Sequence, residues 1–599
     1  MRRSLAAVAG SAAAEAPLGS ADATRAEMAR ARVFARAWAD TLSDSRRLDQ
    51  AALFARAAME VFAAVEAPGV SLSPPFVTPA GAMDSTASQL ARTIGRQAAG
   101  LPAIEAAHFL TGLYTALAPS RHRSELGAFY TPPALSVRLL DLAEDEGVDW
   151  RDARVLDPAC GGGAFLLQAA HRIRLALTGS EPAFVLSHLG THLLGLELDP
   201  CAAGLAQAAL EVALADLAVA SGRPVPRLVK VCDTLEEPPS PSFDLVVGNP
   251  PYGRLTLTAE QRQRFARGLY GHANLYGVFT DIALRWTKPG GCVAYLTPTS
   301  FLGGQYYSAL RRLLAREAPP AAIDFVHARH GVFEDVLQET LLAVYRPGGK
   351  LRRVQVHHLR VLDERVAEAE SNGAISLPAD PSEPWMAPRD PAHSALIART
   401  ETMACRLADW GYTVSTGPLV WNRHKAQLRD RPCAAARPLI WAEAVTADGR
   451  FVFRAEKRNH APYFELGPGD DWLLVEEPCV LVQRTTAKEQ ARRLIAAELP
   501  RSFVEAHGGV VVENHLNMIM AVRRPSVTPA ALAAVLNSDI VDQVFRCISG
   551  SVAVSAFELK AILLPPASVM APIERLVASH ANRETIENAV RRLYDTAGR

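Results

Sequence analysis

Residues 154–170 read RVLDPACGGGAFLLQAA, and this stretch decides the fold class. A short apolar run ends on Asp157, three consecutive glycines follow, and an apolar helical segment begins at once. Strand, glycine-rich turn and helix in that order open many ligand-binding α/β sheets. Glycine lets the backbone approach a ligand and adopt dihedrals closed to other residues, and the helix N-terminus offers unpaired N–H groups. The spacing is Asp157-Pro158-x-x-Gly161-Gly162-Gly163, not the Gly-x-Gly-x-x-Gly dinucleotide fingerprint, which argues against a nicotinamide-dependent oxidoreductase.

Outward from this unit, short apolar runs alternate with helical segments from Arg151 to about Tyr345. The runs are ARVLD, THLLGLELD, RLVKVCD, FDLVVGN, GCVAYLTP, AAIDFVH and ETLLAVYR. Such alternation predicts a doubly wound, mainly parallel sheet of seven strands, whose ligand sits at the carboxyl ends of the strands. Acidic residues recur there. The second run carries Glu197, suited to accept from both hydroxyls of a ribose, and the third ends at Asp233, suited to accept from an adenine amino group. Any one of these acids alone reads as a helix cap or surface carboxylate; three at successive strand ends point to a nucleoside.

The fourth run continues as FDLVVGNPPYG (243–253). Asn249 and Pro250 set a side-chain carbonyl beside a backbone carbonyl. Two such acceptors can hold both hydrogens of an aromatic –NH₂ group, drawing its lone pair out of ring conjugation and aiming it at an electrophilic methyl. Tyr252 offers a ring on which an extruded base can stack, as enzymes that act on a base must first extract it from the duplex.

The flanks are less specific. Residues 1–24 read as a disordered Ala-rich tail; the apolar stretch there is short and broken by Gly10 and Ser11, unlike a signal peptide. Residues 25–120 read as amphipathic helices forming a packing or regulatory module. No lysine precedes Lys230, so this block cannot carry the Asp and Glu-x-Lys site of common restriction nucleases, and Phe557-Glu558-Leu559-Lys560 lies in a stretch that reads as structure. After about Pro391 the texture turns aromatic and basic, indicating a separate mixed α/β domain over 391–577 and a terminal helix within 578–599. Basic and acidic residues balance at 63 each, so phosphate contacts would need a local patch. Eight cysteines without a Cys-x-x-Cys pair predict reduced thiols, a cytoplasmic protein and no metal site. No run of about 18 apolar residues suggests a membrane span.

Together these motifs resemble the gamma-class, TaqI-like N6-adenine DNA methyltransferases of type II restriction–modification systems. Gly127-Ala128-Phe129-Tyr130-Thr131-Pro132-Pro133 is similar to the family's first motif, which closes over the methyl donor, S-adenosyl-L-methionine. The resemblance implies that Tyr130, Thr131, Asp157, Ala159, Gly161, Gly163, Glu197, Asp233 and Phe279 bind this cofactor, with Phe279, in Asn274-Leu275-Tyr276-Gly277-Val278-Phe279, packing on its adenine. It implies that Asn249, Pro250 and Tyr252 are catalytic. The match runs in order from about Gly127 to Tyr345, making 121–390 the methyltransferase domain and 391–577 the variable target-recognition domain. Double-stranded DNA is the implied partner, along with a separate restriction endonuclease.

The resemblance also implies a second aromatic to sandwich the flipped adenine. Trp385 is the nearest downstream candidate, and a core tryptophan reads equally well there. Arg423 and Lys425, in Trp421-Asn422-Arg423-His424-Lys425, and Arg484, in Arg484-Thr485-Thr486-Ala487-Lys488, resemble DNA-contacting segments, or form a solvated face. Two other readings stand. The Asn-Pro-Pro-Tyr tetrad also occurs in methyltransferases acting on RNA guanine or on a protein glutamine, and a DNA-binding specificity protein could retain a decayed core.

Overall fold

A computed structural model describes residues 21–126, 131–328, 339–401, 403–486, 492–549 and 553–596. The chain divides into two compact units, one of Met1–Pro298 and Arg312–Ala369, the other of Thr299–Arg311 and Glu370–Arg599.

The first unit holds strands β1 (Val155–Asp157), β2 (Leu193–Glu197), β3 (Val229–Val231), β4 (Phe243–Gly248), β5 (Thr287–Pro298), β6 (Pro320–Ala328) and β7 (Thr340–Tyr345). Each expected run is a strand. Among the described residues the sheet nevertheless has nine strands rather than seven: β8 (Val354–Val361) and β9 (Ala367–Ile375) extend it in the order β9-β8-β6-β7-β5-β4-β1-β2-β3. Strands β1 to β5 run parallel, β7 is antiparallel between β5 and β6, and β8 runs parallel to β6. The extra pair escapes a search for apolar runs because it lies at an edge. VQVHHLRV alternates buried and exposed positions, and AEAESNGAI is mostly exposed. Central strands are covered on both faces and so read as unbroken apolar runs; Leu245, Val246 and Val247 are fully buried.

The N-terminal residues form helices α1 (Ala21–Ala39), α2 (Asp44–Glu66), α3 (Ser85–Ala98), α4 (Ala103–Leu117) and α5 (Ser120–Leu126), followed by α6 (Pro133–Asp145). These helices are not a module with a core of their own. Met28, Phe54, Phe62, Ile94, Leu110 and Leu113 belong to one continuous apolar cluster that also contains Val155, Leu166, Leu205 and Leu245. Helix α7 (Ala164–Ala176) follows β1, α8 (Pro182–His192) precedes β2, and α9 (Pro200–Ala213) follows β2. Helix α9 starts where chemistry dictates: Asp199 caps it by accepting from the N–H groups of Cys201 (2.8 Å) and Ala202 (3.4 Å), and Pro200 occupies the first turn.

The second unit contains a four-stranded antiparallel sheet, with Tyr412–Thr416, Leu516–Ala521, Cys479–Gln483 and Ala496–Leu499 as successive neighbours. A five-stranded mixed sheet and helices at Pro529–Leu536, Asp539–Ile548, Ala571–Ala578 and Arg583–Thr596 complete it. The terminal helix packs through Val590 and Tyr594 into the unit's main core. Thr299–Arg311 belongs here because Arg311, fully buried, donates to the carbonyls of Phe301, Gly304, Ser382 and Glu383. Glu558, of the Glu-x-Lys triplet, closes a capping box with Ser555 and is buried.

Candidate active site

The carboxyl ends of β1, β2 and β4 open onto one cleft of about 300 Å³, lined among others by Asp157, Ala159, Gly161, Glu197, Asp233, Asn249 and Phe279. That volume is at the lower end of small-molecule sites. The three glycines after β1 serve different ends. Gly161, at φ +51°, lines the cleft, and a Cβ there would meet no protein atom within 4 Å. A Cβ on Gly162 would lie 2.8 Å from the Cβ of Thr111 on α4, and one on Gly163, at φ +82°, 3.1 Å from Ala206 on α9. Gly163, expected as a cofactor contact, packs against α9, while its neighbours Gly162 and Ala164 line the cleft.

Glu197 is the polar centre of the β2 end. Its Oε2 accepts from Gly161 N–H and its Oε1 from Asp199 N–H, both at 2.8 Å. Each carboxylate oxygen has a further lone pair to offer a ligand. Burial pushes this carboxyl above the usual range, while the Asp199 and Gly161 N–H bonds pull it back. Asp157 is 1% exposed, and burial raises it from 3.8 to about 8, against the opposing Ala159 N–H and with the nearby Glu197 charge adding to the rise. A raised carboxyl stabilises the folded chain at low pH and loses that advantage as pH climbs toward 8. Between these limits the unfolded state has released a proton that the native state keeps, so this group lowers unfolding free energy by about 1.4 kcal/mol per pH unit. Asp157→Asn should remove that slope from denaturant midpoints measured across the window. An unchanged slope would assign the dependence to other groups.

At the end of β4 the amide of Asn249 is oriented by its neighbours. Its Nδ2 donates to Thr131 Oγ1 (3.1 Å), and its Oδ1 accepts from the Tyr252 hydroxyl (2.5 Å), which also lies 3.2 Å from the Leu296 carbonyl. Thr131 is in turn bonded through its backbone to His108 of α4, a ring that burial pushes down to about 4 and so keeps neutral. Thr131, expected as a cofactor contact, thus also sets which way the Asn249 amide faces. Thr131→Val should cut turnover about tenfold, the worth of one orienting hydrogen bond, and Thr131→Ser should restore it. Equal turnover in both variants would show that Asn249 needs no such support.

Several expected residues sit otherwise than the sequence suggests. Asn249 and Pro251 line the cleft, whereas Pro250 and Tyr252 are buried and do not. The Tyr252 ring is 9% exposed and meets Tyr276 edge-on at 6.2 Å, so in this conformation it presents no open face to a base. Trp385 is fully buried in the second unit, edge-on to Phe301, with its indole N–H donating to the Pro381 carbonyl; it cannot be the second stacking aromatic here. Arg423 and Lys425 are exposed, and the Lys425 ammonium lies 5.7 Å from the Trp421 ring centroid. Arg484 is half-buried and donates to the Asn514 carbonyl (3.1 Å), while its backbone pairs with His515 and Val554. Tyr130 and Lys488 lie outside the described residues. Residues the sequence did not flag complete the cleft: His108, Thr111, Tyr114 and His122, all from α4 and α5. No spacing signal marks them, because they reach the site across the fold.

The nine-stranded sheet thus presents a glycine loop after β1, acids at or just past the ends of β1 to β3 and Asn-Pro-Pro-Tyr after β4, around one cleft. Residues 234–333 match the family described as Eco57I restriction-modification methylase. The chain is similar to the type II methyltransferase M.BsuBI of Bacillus subtilis, 24% identical over 78% of this chain and 92% of the relative. It is 25% identical to M.PstI of Providencia stuartii over 74% of this chain and 87% of that one, and 30% identical to M.TthHB8I of Thermus thermophilus over 39% and 48%. In fold it resembles the type IIL restriction-modification enzyme MmeI, at a TM-score of 0.51 and 12% identity, covering 87% of this chain and 82% of MmeI. The type ISP enzyme LlaBIII also gives a TM-score of 0.51, at 10% identity, covering 90% of this chain and 45% of LlaBIII.

Proposed function

We propose that this protein is a site-specific DNA methyltransferase that moves a methyl group from S-adenosyl-L-methionine to the exocyclic N6 of adenine, as the modification arm of a restriction–modification system. The observation that carries this reading is the oriented amide of Asn249, in one cleft with Gly161 and Glu197.

The cleft fits the donor on its own terms. Gly161 leaves open space where a side chain would stand, Glu197 keeps acceptor capacity for the ribose, and Asp233 and Phe279 line the same space for the adenine. When bound, the donor supplies an electrophilic methyl group. The chain's own part lies with the target. The Asn249 carbonyl has two acceptor positions, of which the Tyr252 hydroxyl takes one. The other, with the Pro250 carbonyl, would hold the two hydrogens of an adenine amino group and leave its lone pair directed out of the ring. No strong base is needed before attack, since the nitrogen becomes cationic and loses its proton afterwards. Reaching the cleft requires the base to leave the duplex, and stacking on Tyr252 requires that ring to give up its bonds to Asn249 and Leu296. Arg423 and Lys425, exposed on the second unit, are the proposed DNA contacts.

The test is to incubate the protein with unmethylated genomic DNA and labelled S-adenosyl-L-methionine, then map modified bases. Methyl-adenine at one recurring motif supports the proposal. Label in RNA or protein instead of DNA would move the chain to another Asn-Pro-Pro-Tyr class. No transfer at all would favour a binding-only role.

A further inference from the structure

One wall of the cleft is built by the N-terminal helices, and its polar groups converge on Asp199. The Tyr114 hydroxyl donates to Asp199 Oδ2 at 2.6 Å, and His122 Nε2 lies 3.2 Å from the same oxygen. The other oxygen, Oδ1, caps α9. Asp199 is 8% exposed and Tyr114 is 5% exposed, so this carboxylate is buried and its charge is satisfied by these donors. Asp199 is also tied to Glu197, whose Oε1 accepts the Asp199 N–H. The contact between α4 and the glycine loop is tight, with no room for a side chain at Gly162 beside Thr111.

This arrangement holds the Nε2 edge of the histidine against Asp199. A neutral imidazole that gives its Nε2 proton to Asp199 keeps a lone pair on Nδ1. Nδ1 has no hydrogen-bond partner among the described residues, and His122, with 26% of its side chain exposed, lines the same cleft as Glu197 and meets Asp199, whose N–H Glu197 accepts. An acceptor next to a second acceptor suits a vicinal diol, which has two O–H groups to donate. We propose that His122 is a ribose-binding residue, accepting one hydroxyl of the donor's ribose while Glu197 accepts the other, and that Tyr114 and Asp199 are positioning residues that hold its ring. The inference rests on the reading of the cleft as a nucleoside-donor site. It gives the N-terminal helices a part in binding the donor that packing alone would not.

The experiment is calorimetric titration of the full-length protein with S-adenosylhomocysteine and with its 2′-deoxy and 3′-deoxy analogues. His122→Ala should weaken S-adenosylhomocysteine about tenfold, the value of one hydrogen bond with a buried partner. Tyr114→Phe should weaken it about threefold, and His122→Gln, which keeps a donor for Asp199 and an acceptor for the ribose, should bind nearly as wild type. For the analogue lacking the hydroxyl that His122 accepts, wild type and His122→Ala should bind alike. Two results overturn the inference: His122→Ala binding S-adenosylhomocysteine as tightly as wild type, or losing affinity equally for both deoxy analogues, the mark of a purely structural defect. Failure of the wild-type protein to bind S-adenosylhomocysteine would instead overturn the donor-site reading itself, and this inference with it.

Discussion

Asn249→Ala is expected to lower methyl transfer by about a thousandfold while leaving donor affinity within a factor of about two. In the proposed reaction the substitution would remove the acceptor that meets the amino group as positive charge develops on it, and deleting one such preorganised partner in an enclosed site costs on the order of 10²–10³ in rate. The donor side is spared, because the bonds that hold Glu197 come from Gly161 and Asp199 and none passes through Asn249. Single-turnover transfer and calorimetric donor binding, measured on the same preparations, separate the two effects. An equal loss of donor binding would mean that Asn249 acts by holding the cleft open. The released Tyr252 hydroxyl keeps the Leu296 carbonyl as a partner, so its ring should stay in place and melting should change little.

Glu197→Ala should show the reverse pattern, with donor affinity falling about a hundredfold and the chemical step of the saturated enzyme changing far less. The ribose hydrogen bond to a charged acceptor, worth about 1.5–3 kcal/mol, together with the loosened Gly161 loop accounts for a loss of that size. The carboxylate also anchors Gly161 and Asp199, so its removal leaves two N–H groups without their acceptor and loosens the loop that the donor must meet. Titration with S-adenosylhomocysteine gives the affinity, and turnover at saturating donor gives the rate. A mutant that binds normally but fails to turn over would place Glu197 in the chemistry and not in binding.

These expectations rest on residues that the chain announces in short stretches. Asp157, Gly161, Glu197 and Asn249 sit just past strand ends, where a motif of a few residues fixes both backbone and side chain, and the cleft brings all four together. Other expected residues sit in different surroundings from those the sequence suggests. Trp385, placed by the sequence near a target base, is fully buried, and the Tyr252 ring would have to leave its bonds to Asn249 and Leu296 to stack on one. Gly163 belongs to the glycine run yet is spent on the approach of α9. The last two strands went unseen because edge strands are polar on their open side.

The sequence by itself determined the doubly wound sheet and which residues stand at its strand ends, since apolar periodicity and turn residues are local and carry their own physical signal. Tertiary structure alone decided which groups surround that chemistry. Tyr114 and His122 meet Asp199 across 85 and 77 residues of chain, and Thr131 meets Asn249 across 118. Such contacts depend on how an apolar helical layer closes over the sheet, and packing of that kind leaves no pattern along the chain.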